Sequence, residues 1–91
     1  MYKKKIRLLT PDAIAEFVKI CCKYSCDINI YDGRSVIDAK SIVGVFTISQ
    51  GKEVEVEVNS VDENDVVGFL NDIKRFEVKW NYEIKWDQGF W

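Results

Sequence analysis

Asp38-Ala39-Lys40-Ser41-Ile42-Val43-Gly44-Val45 joins a strand end directly to a short helix. Ser41 stands where an N-cap belongs, with apolar Ile42, Val43, Val45 and Phe46 behind it. A serine there accepts a hydrogen bond from an unpaired backbone N–H of the first turn, and capping is the commonest reason for a serine at a helix start. A phosphate on that hydroxyl would meet the same N–H groups and the positive end of the helix dipole.

Working outward, residues 3–9 read as a strand with Ile6 and Leu8 on one face and Lys3, Lys5 and Arg7 on the other. Thr10-Pro11-Asp12 reads as a helix start: a capping threonine, proline at the first helical position and an early acid. That helix is expected to reach about Tyr24, with Ile14, Phe17, Val18 and Cys21 recurring on its core face. Asp27 to Tyr31 is a second strand, Asp32-Gly33 a turn, and Arg34 to Asp38 a third strand. The Ser41 helix runs to about Ile48, followed by a turn at Gly51-Lys52. Residues 53–58 alternate strictly, with Val54, Val56 and Val58 inward and Glu53, Glu55 and Glu57 outward. Asp62 caps a last helix expected to reach about Phe76. Its core face is Val66, Phe69, Leu70 and Ile73, widened by Val67 and Phe76.

The order strand, helix, strand, strand, helix, strand, helix is an α+β layout, with helices on one face of an antiparallel sheet. The outward Lys3, Lys5, Arg7 row suits the outward Glu53, Glu55, Glu57 row. Opposite charges across neighbouring strands contribute about 0.2–1 kcal/mol per pair. The first and fourth strands are therefore expected to be neighbours, with their charged face open to water.

Composition narrows the function. A chain of 91 residues reads as one domain. It can bury roughly 60–70% of its unfolded surface, enough to fold without metals or disulfides. A formal net charge of −2, with no massed basic helix, gives no sign of nucleic-acid binding. No run of 18 apolar residues could span a membrane. The basic beginning Met1 to Leu9 resembles a leader, but Thr10-Pro11-Asp12 ends its apolar part too early for a signal peptide. Three cysteines, two of them adjacent, fit a reducing cytoplasm. Cys21, Cys22 and Cys26 lack a fourth ligand, Asp62-Glu63-Asn64-Asp65 lacks calcium-loop spacing, and no nucleophile–base pair is evident. No metal, cofactor or enzymatic activity is expected.

Lys40-Ser41-Ile42-Val43-Gly44-Val45 is similar to the regulatory-serine segment of HPr, the small phosphocarrier of the bacterial sugar phosphotransferase system. Phe17-Val18, Lys23-Tyr24 and Asp27-Ile28-Asn29-Ile30 resemble the family's first helix and second strand, and Asp62-Glu63-Asn64-Asp65 its last helix. Order and spacing agree from about Lys4 to Phe76. The resemblance implies an open-faced sandwich: a four-stranded antiparallel sheet of order 1-4-2-3 with three helices on one face. It also implies protein partners, an HPr kinase and a transcription regulator, for a bacterial cytoplasmic module. The chain departs from the family in one respect that decides its chemistry: it contains no histidine. The family's carrier histidine is matched by Thr10 and the neighbouring arginine by Asp12. A threonine phosphate ester is too stable to pass its phosphate on, and Asp12 would repel an incoming phosphate. Some HPr relatives lack the carrier histidine, keep the regulatory serine and act by docking when phosphorylated. By that pattern Ser41 is the candidate phosphorylation site, and Lys40, Ile42, Val43 and Phe46 are candidate partner contacts, although at least two of the apolar three would ordinarily be core.

Residues 77–91 have no counterpart in the family, dividing the chain into a domain at 1–76 and an aromatic extension at 77–91. Val78, Trp80, Tyr82, Ile84 and Trp86 alternate with Lys79, Asn81, Glu83 and Lys85, the pattern of an amphipathic strand. A lone exposed strand of this kind is an aggregation hazard, so something must cover it. One expectation pairs it with the free edge of the first strand, its apolar face toward the helices. Another exchanges it between two chains, with Trp80, Tyr82, Ile84 and Trp86 as the dimer interface. A different class of function follows from the second, a scaffold acting through self-association or partner binding by its tail.

Overall fold

Strand β4 (Glu53–Asn59) is flanked by two other strands, and its glutamate–valine alternation suits that place. It pairs antiparallel with β1 (Tyr2–Arg7) on one side and β2 (Asp27–Asp32) on the other; β3 (Ser35–Asp38) then pairs with β2. The computed structural model describes residues 2–78. Its sheet order is β1-β4-β2-β3, with helices α1 (Pro11–Cys21), α2 (Ile42–Ser49) and α3 (Glu63–Asp72). This is the HPr open-faced α+β sandwich expected from the sequence.

Lys3 lies opposite Glu57, Lys5 opposite Glu55 and Arg7 opposite Glu53, as the two charge rows required. The inner residues Ile6, Val54, Val56, Val58, Ile28 and Ile30 are all buried beneath the helices. On the open face, the Lys3 ammonium rests 4.7 Å above the centre of the Tyr31 ring. The Tyr31 hydroxyl donates to Glu57 Oε1 at 2.8 Å, and Glu57 is only 4% exposed although it belongs to the outward row.

Several ends fall elsewhere than expected. Strand β1 stops at Arg7, and Leu8 is buried, its carbonyl accepting from Gly51 N–H at 3.0 Å. Helix α1 stops at Cys21 rather than near Tyr24, because Lys23 and Tyr24 donate to carbonyls three residues back and tighten the turn. Helix α3 stops at Asp72, and a 3₁₀ turn at Lys74–Phe76 follows. In 3₁₀ geometry residues three apart eclipse, so Phe76 falls on the same side as Ile73 and meets Phe17 edge-on at 5.9 Å. Val67, expected to widen the core stripe, is exposed, and Leu70 is only partly covered. Cys21 is core, whereas Cys22 is exposed.

Tyr24 locks α1 to α3. Its ring meets Phe69 edge-on at 5.5 Å and its hydroxyl donates to Asp72 Oδ2 at 2.6 Å. Burial, then the hydrogen bond to Asp72, push the phenol up to about 12, while the same bond holds the Asp72 carboxyl below its usual range. An unfolded tyrosine titrates near about 10. A folded pKa raised above the unfolded one gives stability that is complete below about pH 10 and lost as pH rises toward about 12. Tyr24→Phe should therefore be less stable than the parent at pH 7, by about 1 kcal/mol for one lost hydrogen bond. In urea unfolding followed from pH 7 to 12, that gap should narrow once pH passes about 10. A gap that stays constant would remove Tyr24 from the lock.

Candidate functional site

Thr10 and Ser41 cap the two helices that open onto one end of the molecule. Thr10 takes an extended conformation before Pro11, and its Oγ1 accepts from Ala13 N–H at 3.1 Å. Ser41 is likewise extended and exposed, and its Oγ accepts from Gly44 N–H at 3.4 Å, near the outer limit for a hydrogen bond. The first turns differ in charge. Asp12 occupies that of α1, and α3 carries Glu63 and Asp65 behind its Asp62 cap, but α2 has no acid in its first turn.

Helix α2 touches the sheet along a narrow line. Val45 and Ser49 are fully buried, the Ser49 hydroxyl donating to the Val45 carbonyl at 2.5 Å. Ile42, Val43 and Phe46 are all exposed, at 50%, 74% and 44%. The expectation that at least two of them belong to the core is thus corrected: the sheet takes only the Val45 side, and these three point away from it. Phe46 connects two shallow clefts. One, of about 250 Å³, includes Leu9, Thr10, Pro11 and Gln50; the other, of about 330 Å³, includes Pro11, Ile14, Ile42 and Val43. The result is an apolar strip from the N-terminus of α1 to that of α2. Leu9, 69% exposed, is a member that the sequence reading missed. Its signal was present: in the outward row Lys3, Lys5, Arg7, Leu9, it is the one apolar residue.

Lys40 is drawn the other way. Its Nζ donates to the Tyr24 carbonyl at 2.5 Å, bracing the end of α1 against the start of α2, and its N–H donates to Asp38 Oδ1 at 2.9 Å. Burial raises the Cys21 thiol well above its ordinary range, which keeps it protonated and unreactive. Trp80, Tyr82, Ile84 and Trp86 lie outside the described residues.

The molecule is a small open-faced sandwich whose first two helices present their N-termini at one apolar surface. The family model for the PTS HPr component phosphorylation site matches residues 10–75, and the chain belongs to the HPr family. Solved structures agree. The chain is similar to HPr-C-His from Thermoanaerobacter tengcongensis at 26% identity and a TM-score of 0.64, over 80% of this chain and 90% of that one. The phosphocarrier protein HPr of Bacillus anthracis has 21% identity and a TM-score of 0.55, over 78% and 94% of the two chains. A mycoplasma histidine-containing phosphocarrier protein has 20% identity and a TM-score of 0.63, over 81% and 89%; these last two speak to the fold.

Gly44 sets how closely α2 approaches the sheet. A Cβ there would stand 2.5 Å from Ile37 Cγ2 and 3.3 Å from Ser41 Oγ. Overpacking of this kind costs about 1–3 kcal/mol, against about 1 kcal/mol gained from alanine's better helix propensity. Gly44→Ala should lower stability on balance in urea unfolding. The same change made in an Ile37→Ala background, where the obstructing methyl is gone, should be neutral or stabilising. Equal effects in both backgrounds would show that Ile37 is not the obstacle.

Proposed function

We propose that this chain is a non-carrier regulatory module of the sugar phosphotransferase system, docking onto a protein partner when Ser41 is phosphorylated. The observation that carries the reading is an exposed, weakly bonded N-cap serine bordering an apolar strip of Ile42, Val43, Phe46 and Leu9. A phosphoserine carries nearly two negative charges and three acceptor oxygens. At the start of α2 those oxygens have backbone N–H groups to accept from, and the dipole adds about 0.3–1 kcal/mol at an exposed site. The partner contacts are the apolar strip and a basic group of the partner for the phosphate. By family resemblance the kinase is an HPr kinase and the partner a transcription regulator, both in the bacterial cytoplasm. The working division of the chain is a domain at 1–76 and an added segment at 77–91.

The Thr10 corner does not support carrier chemistry. With no histidine in the chain, no side chain there can form a labile phosphoramidate. Thr10 Oγ1 is occupied as a cap, and Asp12 stands in the first turn of α1.

Two measurements test this. Incubated with an HPr kinase and ATP, the protein should gain one phosphate that mass spectrometry maps to Ser41, and Ser41→Ala should gain none; an unmodified Ser41 would remove the main support. Mixed with phosphorylated enzyme I of the phosphotransferase system, the protein should acquire no acid-labile phosphate. Thr10→His alone should restore little, because Asp12 remains. Efficient transfer to that variant would mean that Asp12 is not an obstacle.

A further inference from the structure

Tyr24 is the point at which three helices are tied together. Its N–H donates to the Cys21 carbonyl at 3.2 Å and closes the end of α1. Its ring and hydroxyl hold Phe69 and Asp72 of α3. Gly68 permits that approach, since a Cβ there would stand 3.2 Å from the Tyr24 hydroxyl oxygen. The third tie runs to α2 through the main chain: the Tyr24 carbonyl accepts from Lys40 Nζ at 2.5 Å, and Lys40 immediately precedes the Ser41 cap. That ammonium is the movable part. It ends a flexible four-carbon stem and is bonded to a neutral acceptor. The backbone beneath it is fixed separately. Lys40 N–H donates to Asp38 Oδ1, and Ser41 N–H donates to the Asp38 carbonyl at 3.0 Å. The turn at 38–41 therefore keeps its shape whichever way the lysine side chain points.

We propose that Lys40 is a charge with two positions: on the Tyr24 carbonyl while Ser41 is unmodified, and on the phosphate once Ser41 is phosphorylated. The proposal rests on the reading that Ser41 takes a phosphate, and adds what the phosphate does inside the domain. Adjacent Cα atoms lie about 3.8 Å apart, so a lysine stem reaches a group on the next side chain. No other basic residue occurs between Arg34 and Lys52, and the turn already carries the Asp38 carboxylate. A phosphoserine adds nearly two negative charges there, and Lys40 is the cation the turn has to offer. A hydrogen bond between two ionised partners is roughly twice as strong as one between neutral groups, so the phosphate outcompetes the carbonyl for the ammonium. A bound group shifts an equilibrium only through contacts that differ between the two states, and the Lys40 bond is such a contact. Phosphorylation at the start of α2 thus releases the main chain of Tyr24 at the far end of α1, the residue whose ring and hydroxyl hold α3.

Genetic incorporation of phosphoserine at position 41 of the full-length chain makes the test independent of any kinase. A kinase that ignores Ser41 would then count against the proposed function and leave this experiment intact. In carbon-detected NMR at pH 7, the Tyr24 carbonyl resonance should shift on phosphorylation to the position it takes in unmodified Lys40→Met. Phosphoserine in the Lys40→Met background should move it no further. Salt at about 1 M, where the screening length is about 3 Å, should return the parent's resonance part of the way. A Tyr24 carbonyl that does not respond to the phosphate would overturn the switch. An equal response in Lys40→Met would do the same, because the phosphate would then be acting without the lysine. If Lys40→Met does not fold, the Lys40 Nζ resonance of the parent protein decides: it should move on phosphorylation, and a resonance that stays in place rules the second position out.

Discussion

The structure depends on β4 being paired on both sides in a register that buries three valines. Val54, Val56 and Val58 face the helices, and each buried valine contributes about 1.5–3 kcal/mol. The three charge pairs with β1 contribute about 0.2–1 kcal/mol each. The core therefore sets the register, since a slip of one residue would send every valine to water and every glutamate to the core. The charges do something different: they select the neighbour. A row of two lysines and an arginine fits beside a row of glutamates and nowhere else in this sheet. Both requirements point to one arrangement, and consistency of that kind marks a sequence that specifies one fold.

With β4 and β1 fixed, the geometry of α2 follows from how little of it the sheet can take. Gly44 lets the helix come close to Ile37 of β3, so contact runs along the Val45–Ser49 line. Burying a serine at that line costs little, because its hydroxyl is satisfied by the Val45 carbonyl one turn back. The remaining apolar side chains are left outside. Together with Leu9 and Pro11, they form an exposed apolar strip.

What the sequence made legible was whatever it wrote as contrast. The valine–glutamate alternation of β4 and the lysine row of β1 gave the strand order. Thr10, Ser41 and Asp62 announced three helix starts, and each accepts a first-turn N–H in the structure. In α2 the contrast is missing: Ile42, Val43, Val45 and Phe46 are all apolar, so no periodicity says which one the sheet takes. The burial of Glu57 was not legible for another reason. Its direction was right, but its burial comes from Lys3 and Tyr31 on two other strands, which no local pattern records. The break between α3 and its 3₁₀ turn was hidden because Ile73 and Phe76 suit a continuous helix almost as well.

The two helix N-termini at the apolar strip are similar in form and unlike in electrostatics. At α1 the positive end of the dipole faces Asp12, and the Thr10 hydroxyl is engaged at 3.1 Å. At α2 no acid stands in the first turn, and the Ser41 hydroxyl holds its partner loosely at 3.4 Å. An anion placed at α1 meets a carboxylate within the same turn, and one placed at α2 does not. A carrier needs a nucleophilic nitrogen at the first site, whereas a phosphoserine switch needs only a free hydroxyl, helix N–H groups and adjacent apolar surface at the second. Losing the histidine removes the first without disturbing the second, since Ser41, Gly44 and the Val45 line owe nothing to Thr10. That separability is why the role proposed for Ser41 asks nothing of the Thr10 corner.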